Sequence, residues 1–433
     1  MGKIFIFIGL LMIPAFYLAQ NWMPVSIGFN NSPYKLFVNY TSDLLIADGV
    51  FTTADNIPVH LSAQFDGTGW DSIPYLHNNY MSHVYLDFQG NTYFSSLNLI
   101  RWNGVSLDTI GTPNGSIYGV CIYQNELIAY GNFDSIEGVA ASCIAKWNGS
   151  VWSAFDTTHF RLPYILVAKE YQGQLYIGGN FANWDGSLDR LARWDGTKWN
   201  PVGNGIRGGS ASVATMVEYQ GKLIFAGNFN KSQGNPGNAI VGWDGYNWQE
   251  MGNAISEQGA TVSDAKVFDN DLYVCGNFNI VDGVSIMNFA KWDGSRWCGL
   301  GSTPQSWVGR SMAVYHNELY IICGRTLNGD TMNFITKWVG GSYTDTCGAM
   351  VGIENKIPQF NLSLFPNPAH STFSIFGISP GEISGIRVYD VAGKLVCERV
   401  SLQGGTVEGL VSGMYFVEIE IGDQWQVLKL IVE

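Results

Sequence analysis

Residues 213–252 read VATMVEYQGKLIFAGNFNKSQGNPGNAIVGWDGYNWQEMG, and this stretch decides the fold. An apolar run from Val213 to Tyr219 stops at Gln220-Gly221, and a second, Leu223 to Phe229, ends in Gly-Asn-Phe. After the polar loop Asn230 to Gly237 a third run, Ala239 to Trp243, meets Asp244-Gly245, and Trp248 opens a fourth. Runs of about 4 to 8 residues bounded by Gly and Asn are too short for helices and read as β-strands. Four short strands joined by turns make one antiparallel sheet.

The unit repeats. An aromatic or apolar residue is followed five positions later by another at Phe65/Trp70, Trp102/Leu107, Trp147/Trp152, Trp194/Trp199, Trp243/Trp248, Trp292/Trp297 and Trp338/Tyr343. Between most partners stands Asn-Gly or Asp-Gly, the pair that tolerates the positive φ of a tight hairpin. An even loop, of two or four residues, puts both rings on one face, diagonal or directly opposite. Aligning on the residue that opens the second strand gives Tyr40, Phe88, Tyr123, Tyr171, Tyr219, Phe268 and Tyr315, at spacings of 48, 35, 48, 48, 49 and 47. Periods of this length belong to propeller blades, whose sheets bury both apolar faces by stacking around an axis. The expectation is an all-β chain with a seven-bladed β-propeller, eight blades being the alternative. The second unit lacks about ten residues between its middle strands, so either its loop is cut back or those strands are degenerate.

Ring closure has a candidate. Trp22-Met-Pro-Val-Ser-Ile-Gly28 has the pattern of the fourth strand Trp199-Asn-Pro-Val-Gly-Asn-Gly205, yet precedes any first strand. It can complete the last blade, although Tyr343 to Gly348 competes for that place. Gly-Asn-Phe at the end of the second strand and the Trp beyond it resemble kelch-like propellers and the galactose oxidase central domain, over roughly Asn21 to Gly352. The kelch diglycine stands only at Gly178-Gly179, and the copper ligands of galactose oxidase have no counterpart. The resemblance implies a fold and carries no activity.

Composition narrows the rest. The chain has 433 residues, 46% hydrophobic, with 52 glycines and a formal charge of -13 without any basic run. Nucleic acid is excluded as a partner. Met1-Gly2-Lys3 followed by the apolar stretch Ile4 to Leu18 reads as a signal peptide over 1–19, too short to span a membrane, and no transmembrane segment is expected in the mature chain. Seven cysteines show no metal spacing, and the odd count leaves at least one unpaired. Cys121 and Cys143, inside one repeat, are a candidate bridge.

The propeller is expected over 20–352, a linker over 353–360, and a small C-terminal β-sandwich over 361–433. Leu364-Phe-Pro-Asn-Pro-Ala369, Ile386 to Asp390, Gly393-Lys-Leu-Val396, Leu410 to Val417 and Val427 to Val432 alternate apolar positions with Gly turns. In order and spacing they also resemble the C-terminal sorting domain of type IX secretion cargo in the Bacteroidota. The family's motifs fall on Pro366, Asn367 and Pro368, on Gly393 and Lys394, on Gly413 and Tyr415, and on Lys429. The resemblance implies the type IX machinery as partner, and a product that is secreted or attached to the outer-membrane surface.

Signs of chemistry are sparse. The six histidines (His60, His77, His83, His159, His316, His370) have no metal-ligand spacing. Glu137, Asp185 and Asp282 stand in the loop where a glycosidase could keep an acid and a base. Each follows the Asn of Gly-Asn-Phe by five residues and precedes a Gly, with Gln233 at the same place in the fifth unit. A position that repeats by symmetry answers to the turn. Ligand contacts should come from loop residues that do not repeat: Trp184, Asp189 and Arg190, Lys231 and Gln233, Arg325 and Asp330. Asp185 and Asp282 remain candidate binding residues beside them. No catalytic set, metal or cofactor is expected. The reading is an extracellular propeller binding a glycan or a protein. The alternatives are a polysaccharide hydrolase or lyase with a dispersed carboxylate pair, and a purely structural surface protein.

Overall fold

One side chain builds the hairpin between third and fourth strands in six of the seven repeats. In the first unit Asp66 Oδ1 accepts hydrogen bonds from the backbone N–H groups of Thr68 and Gly69, and Gly67 sits at φ +98°, a conformation glycine adopts without a Cβ clash. Asn103, Asn148, Asp195, Asp244 and Asp293 accept from the same two positions. The four-residue loop sets the flanking residues directly opposite, Phe65 against Trp70 and Trp243 against Trp248 among them.

The computed structural model describes residues 22–340 apart from 77–83, 96, 156–159, 208–210, 256–258, 301–309 and 328–329, together with 346–347 and most of 362–433. The expected signal peptide lies outside the described residues. The chain forms two compact units, Met1–Gly352 and Ile353–Glu433.

In the first unit the hairpins extend into seven antiparallel sheets among the described residues, six of four strands and one of five. The first contains Pro33–Asn39, Leu44–Gly49, Ser62–Phe65 and Trp70–Ser72. The second runs from Val84–Phe88 to Leu107–Gly111, the third from Ser116–Tyr123 to Trp152–Ala154, and the fourth from Arg161–Tyr171 to Trp199–Pro201. The fifth runs from Ser212–Tyr219 to Trp248–Gln249 and the sixth from Thr261–Phe268 to Trp297–Gly299. The seventh takes Met312–Tyr315, Glu318–Ile322 and Ile335–Trp338 from its own repeat, and its fourth strand is Trp22–Pro24, with Trp22 opposite Trp338. The N-terminal segment therefore fills the place for which two segments competed. The later segment goes elsewhere: Thr346–Cys347 adds a fifth strand to the sixth sheet.

Register corrects two expectations. The disulfide joins Cys298 to Cys347 across that added strand, while Cys121 and Cys143 are free thiols. Glu126–Asn132 lies between the strands next to those two residues, so they stand two strand spacings apart, roughly 10 Å, beyond a disulfide's reach. Burial pushes both thiols up to about 12. The aligned aromatics do not open the second strands: Phe88, Tyr123, Tyr171, Tyr219, Phe268 and Tyr315 each close a first strand, while Tyr40 closes none and is 81% exposed. Asn39 takes that place, accepting from Thr41 and Ser42 N–H at the mouth of a longer turn.

The apolar residues of neighbouring sheets meet in shared clusters. Trp194 and Trp199 of the fourth sheet pack with Tyr123 and Ile128 of the third, and Trp292 and Trp297 of the sixth with Tyr219 and Ile224 of the fifth. Phe65 and Trp70 of the first sheet pack with Tyr315 and Tyr320 of the seventh, which closes the β-propeller. A polar chain runs beside this last contact. Buried Asp264 in the sixth sheet accepts from Met312 N–H (2.9 Å) and Ser311 Oγ (3.2 Å) in the seventh, and Ser311 Oγ accepts from Leu36 N–H in the first. Burial works to raise the Asp264 carboxyl. Lys266, Lys35 and the hydrogen bonds outweigh it and hold the group below the ordinary range.

In the second unit Ser363–Phe365, Thr372–Phe376 and Gly404–Thr406 form one sheet. Leu395–Arg399, Ile383–Asp390, Gly413–Ile421 and Gln424–Val432 form another. Leu364, Phe373 and Ile375 of the first share a core with Ile386, Val388, Val417 and Leu430 of the second.

Candidate functional site

The loop acids come first, because chemistry would begin with them. Glu137 and Asp282 sit at φ +49° and +50°, followed by Gly138 and Gly283 at +75° and +78°. These are two-residue turns with both residues left-handed, inside the small hairpins Ser135–Ile136/Val139–Ala140 and Ile280–Val281/Val284–Ser285. Asp55 occupies the same place in the first unit.

Their carboxylates reach back to the preceding sheet. Asp55 Oδ1 accepts from Ile27 and Gly28 N–H, both at 2.9 Å, Glu137 Oε1 from Thr112 N–H at 2.8 Å, and Asp282 Oδ1 from Asn253 N–H at 3.0 Å. In return the N–H groups of the three acids donate to Gly28, Thr112 and Ala254 carbonyls. Each acid is thus a turn residue and also a staple between sheets. The turn was readable from the following glycine; the staple was not, since its partner lies 25 to 29 residues earlier. Asp185 caps its own loop, accepting from Ser187 N–H at 2.8 Å. Bonds from the Ser187 backbone and hydroxyl hold its carboxyl below the usual range.

The other loop candidates are held separately. Arg190 pairs with Asp189 and donates from Nε to the Ala211 carbonyl. Lys231 forms an ion pair with Glu250 at 2.7 Å, and Gln233 ends the 3-10 turn Lys231–Gln233. Arg325 is exposed, and its carbonyl receives Met332 and Asn333 N–H. Trp184 is 75% exposed. Asp330 lies on the short strand Asp330–Thr331, and its side chain is outside the described residues. His316 pairs with Asp43 across the closing boundary at 2.8 Å. No group of three or more His, Cys, Asp or Glu among the described residues could hold a metal ion.

Sequence reasoning missed a cleft of about 650 Å³ between the second and third sheets, lined by Arg101, Asp108, Glu137, Trp147, Val151 and Trp152 among others. Arg101 and Asp108 are cross-strand partners joined at 2.8 Å. Trp147 and Trp152 lie 5.4 Å apart, and Trp152 Nε1 donates to the Ile110 carbonyl. The only hint in the sequence was the shortened second unit. Its four strands are all present, and the connection between its middle strands is reduced to residues 96–98.

In the C-terminal unit the sorting motifs meet in space. Asn367 donates from Nδ2 to the Lys429 carbonyl (2.7 Å) and accepts at Oδ1 from Ile431 N–H (2.8 Å). Its amide thereby replaces a peptide group along the last strand, in a place where the flanking Pro366 and Pro368 have no N–H to offer. Ala369 continues the pairing through Ile431 and Glu433. Tyr415 is buried with its hydroxyl on the Val411 carbonyl, and Gly413 lies opposite Val432. Lys394 N–H donates to Asp390 Oδ1 and its carbonyl accepts from Asp390 N–H, and Lys429 is exposed opposite Phe416. Gly393 lies outside the described residues.

Residues 363–433 match the family described as the secretion system C-terminal sorting domain. The chain therefore engages type IX secretion machinery through this unit and is secreted or attached at the outer-membrane surface. No helix among the described residues is long and apolar enough to cross a membrane. No curated protein matches the chain. Among solved structures, YCF48 bound to D1 peptide is similar at 12% identity and a TM-score of 0.45, over 75% of this chain and 97% of that one. The computationally designed Ika8 protein is similar at 8% and 0.42, over 72% and 98%. The GH74 enzyme of Niastella koreensis is similar at 9% and 0.30, over 95% and 92%. At that level none of the three bears on what this chain binds.

Proposed function

We propose that this protein is an extracellular binding protein, a seven-bladed kelch-like propeller that recognises a glycan without catalysing a reaction. A signal peptide over 1–19 and a sandwich-type sorting domain over 361–433, reached through a linker at 353–360, deliver the propeller of 20–352. Seven blades rather than eight is supported by the apolar clusters shared between consecutive sheets.

The observation that carries the binding reading is the employment of the loop acids. Glu137 and Asp282 spend carboxylate oxygens on the preceding sheet, and Asp185 spends one on its own loop. A glycosidase needs two carboxyls flanking one bond, roughly 5 to 10 Å apart. Asp185 and Asp282 belong to the fourth and sixth sheets, with the fifth between them. Non-repeating loop residues such as Trp184, Arg190, Lys231 and Arg325 remain candidate contacts.

One observation favours a hydrolase or lyase instead: Asp108 and Glu137 line the same cleft. A panel of soluble glycans assayed in parallel for binding and for product separates the two. Binding without product is expected. Product formation that disappears in Asp108→Asn, Glu137→Gln, Asp185→Asn or Asp282→Asn would establish the enzyme.

A further inference from the structure

The cleft between the second and third sheets has a counterpart between the fifth and sixth, and the two differ in size and chemistry. The counterpart holds about 190 Å³ and is lined by Gly242 and Gln249 where the larger cleft has Arg101 and Asp108, with Trp292 in the place of Trp147 and with Lys222 and Glu250 beside them. There Tyr219 reaches across to the Trp292 carbonyl. The residue at that position in the second unit is Phe88, which has no hydroxyl with which to do so.

From this contrast we infer that the larger cleft is a subsite for a neutral oligosaccharide, a proposal that rests on the glycan-binding reading above. Its volume of about 650 Å³ falls in the range of small-molecule sites, whereas a protein partner needs roughly 800 Å² on each side. Half-buried Trp147 and the 59%-exposed Val151 supply apolar surface for the C–H face of a sugar ring. Arg101, Asp108, Glu137 and Thr109 supply donors and acceptors for vicinal hydroxyls. Charge selects the class of glycan. Arg101 and Asp108 cancel each other, Glu137 leaves the cleft acidic, and the chain as a whole carries -13. Uronates and sulfated sugars are repelled from such a surface.

The test is titration of full-length protein with neutral hexose oligomers and with polygalacturonate, in wild type, Val151→Trp, Asp108→Ala and the distant surface variant Tyr246→Ala. Thermal melts check that each variant is folded. The expected result is binding of a neutral oligomer that weakens at least about tenfold in Val151→Trp and Asp108→Ala and is unchanged in Tyr246→Ala. Neutral-glycan binding that survives both cleft variants overturns the site and leaves the binding reading standing. Preference for polygalacturonate overturns the ligand class. Absence of binding to any glycan overturns the reading and the site together.

Discussion

Two boundaries of the propeller, fifth with sixth sheet and second with third, are made from the same repeat and are put to different use. At the first, Trp292 and Trp297 pack on Tyr219 and Ile224, Asp282 staples Asn253, and the remaining space is about 190 Å³. At the second, Trp152 packs on Val84 and Tyr93 and Glu137 staples Thr112, yet a cleft of about 650 Å³ holding the Arg101–Asp108 pair stays open. Where the repeat is kept, its paired rings and the loop acid hold the sheets together and little space remains. A wider cleft is left where one unit departs from the pattern.

The contrast is tested first by removing packing. Trp292→Ala should cost about 3 to 5 kcal/mol, since the indole is 6% exposed and leaves a cavity. Leu107→Ala, at a residue 41% exposed in the divergent second unit, should cost less than about 1 kcal/mol. Denaturant melts give both numbers, and equal losses would mean that the two units are packed alike.

A smaller loss is expected at the boundary between the sixth and seventh sheets. Asp264→Ala deprives buried Met312 N–H of its acceptor, at a cost of roughly 2 to 3 kcal/mol. Its carboxyl is depressed in the folded state, so its stabilisation is present above the unfolded carboxylate value and fades as pH falls through the folded one.

Asp48, buried in the first sheet, has the opposite sign, because burial raises its carboxyl well above the ordinary value against the lowering effect of Ser62. Stability linked to Asp48 is complete below the unfolded value and is lost as pH rises through the folded one. Asp48→Asn should therefore raise Tm at neutral and alkaline pH, while Asp264→Asn should lower it. Melts from pH 4 to 8 read both, and parallel pH profiles for the two variants would contradict the assignment.

The smallest effect is expected at the staples. Glu137→Gln and Asp282→Asn each keep an acceptor for Thr112 or Asn253 N–H and should cost about 1 kcal/mol.

Much of the scaffold was legible because it is written in single residues. The Asx-Gly steps declare four-residue hairpins, the paired rings declare the buried face, and Trp22 to Gly28 declares a fourth strand without a sheet. What stayed illegible depends on register. Thr346–Cys347 is too short to be read as a strand, so the partner of Cys298 could not be named. Tyr40 looks like Tyr123 or Tyr171, but a longer turn after Asn39 displaces it into solvent. The loop candidates Trp184, Arg190, Lys231 and Arg325 were found by their failure to repeat. Applied to whole units rather than to loops, the same criterion points at the second sheet and the cleft beside it.

The most direct test compares glycan affinity in two variants side by side: Asp185→Asn/Asp282→Asn, which alters repeated positions, and Val151→Trp, which fills the irregular boundary. Binding at that boundary predicts full affinity in the double variant and a loss of at least about tenfold in Val151→Trp. Affinity or turnover that vanishes in the double variant and survives in Val151→Trp would contradict it.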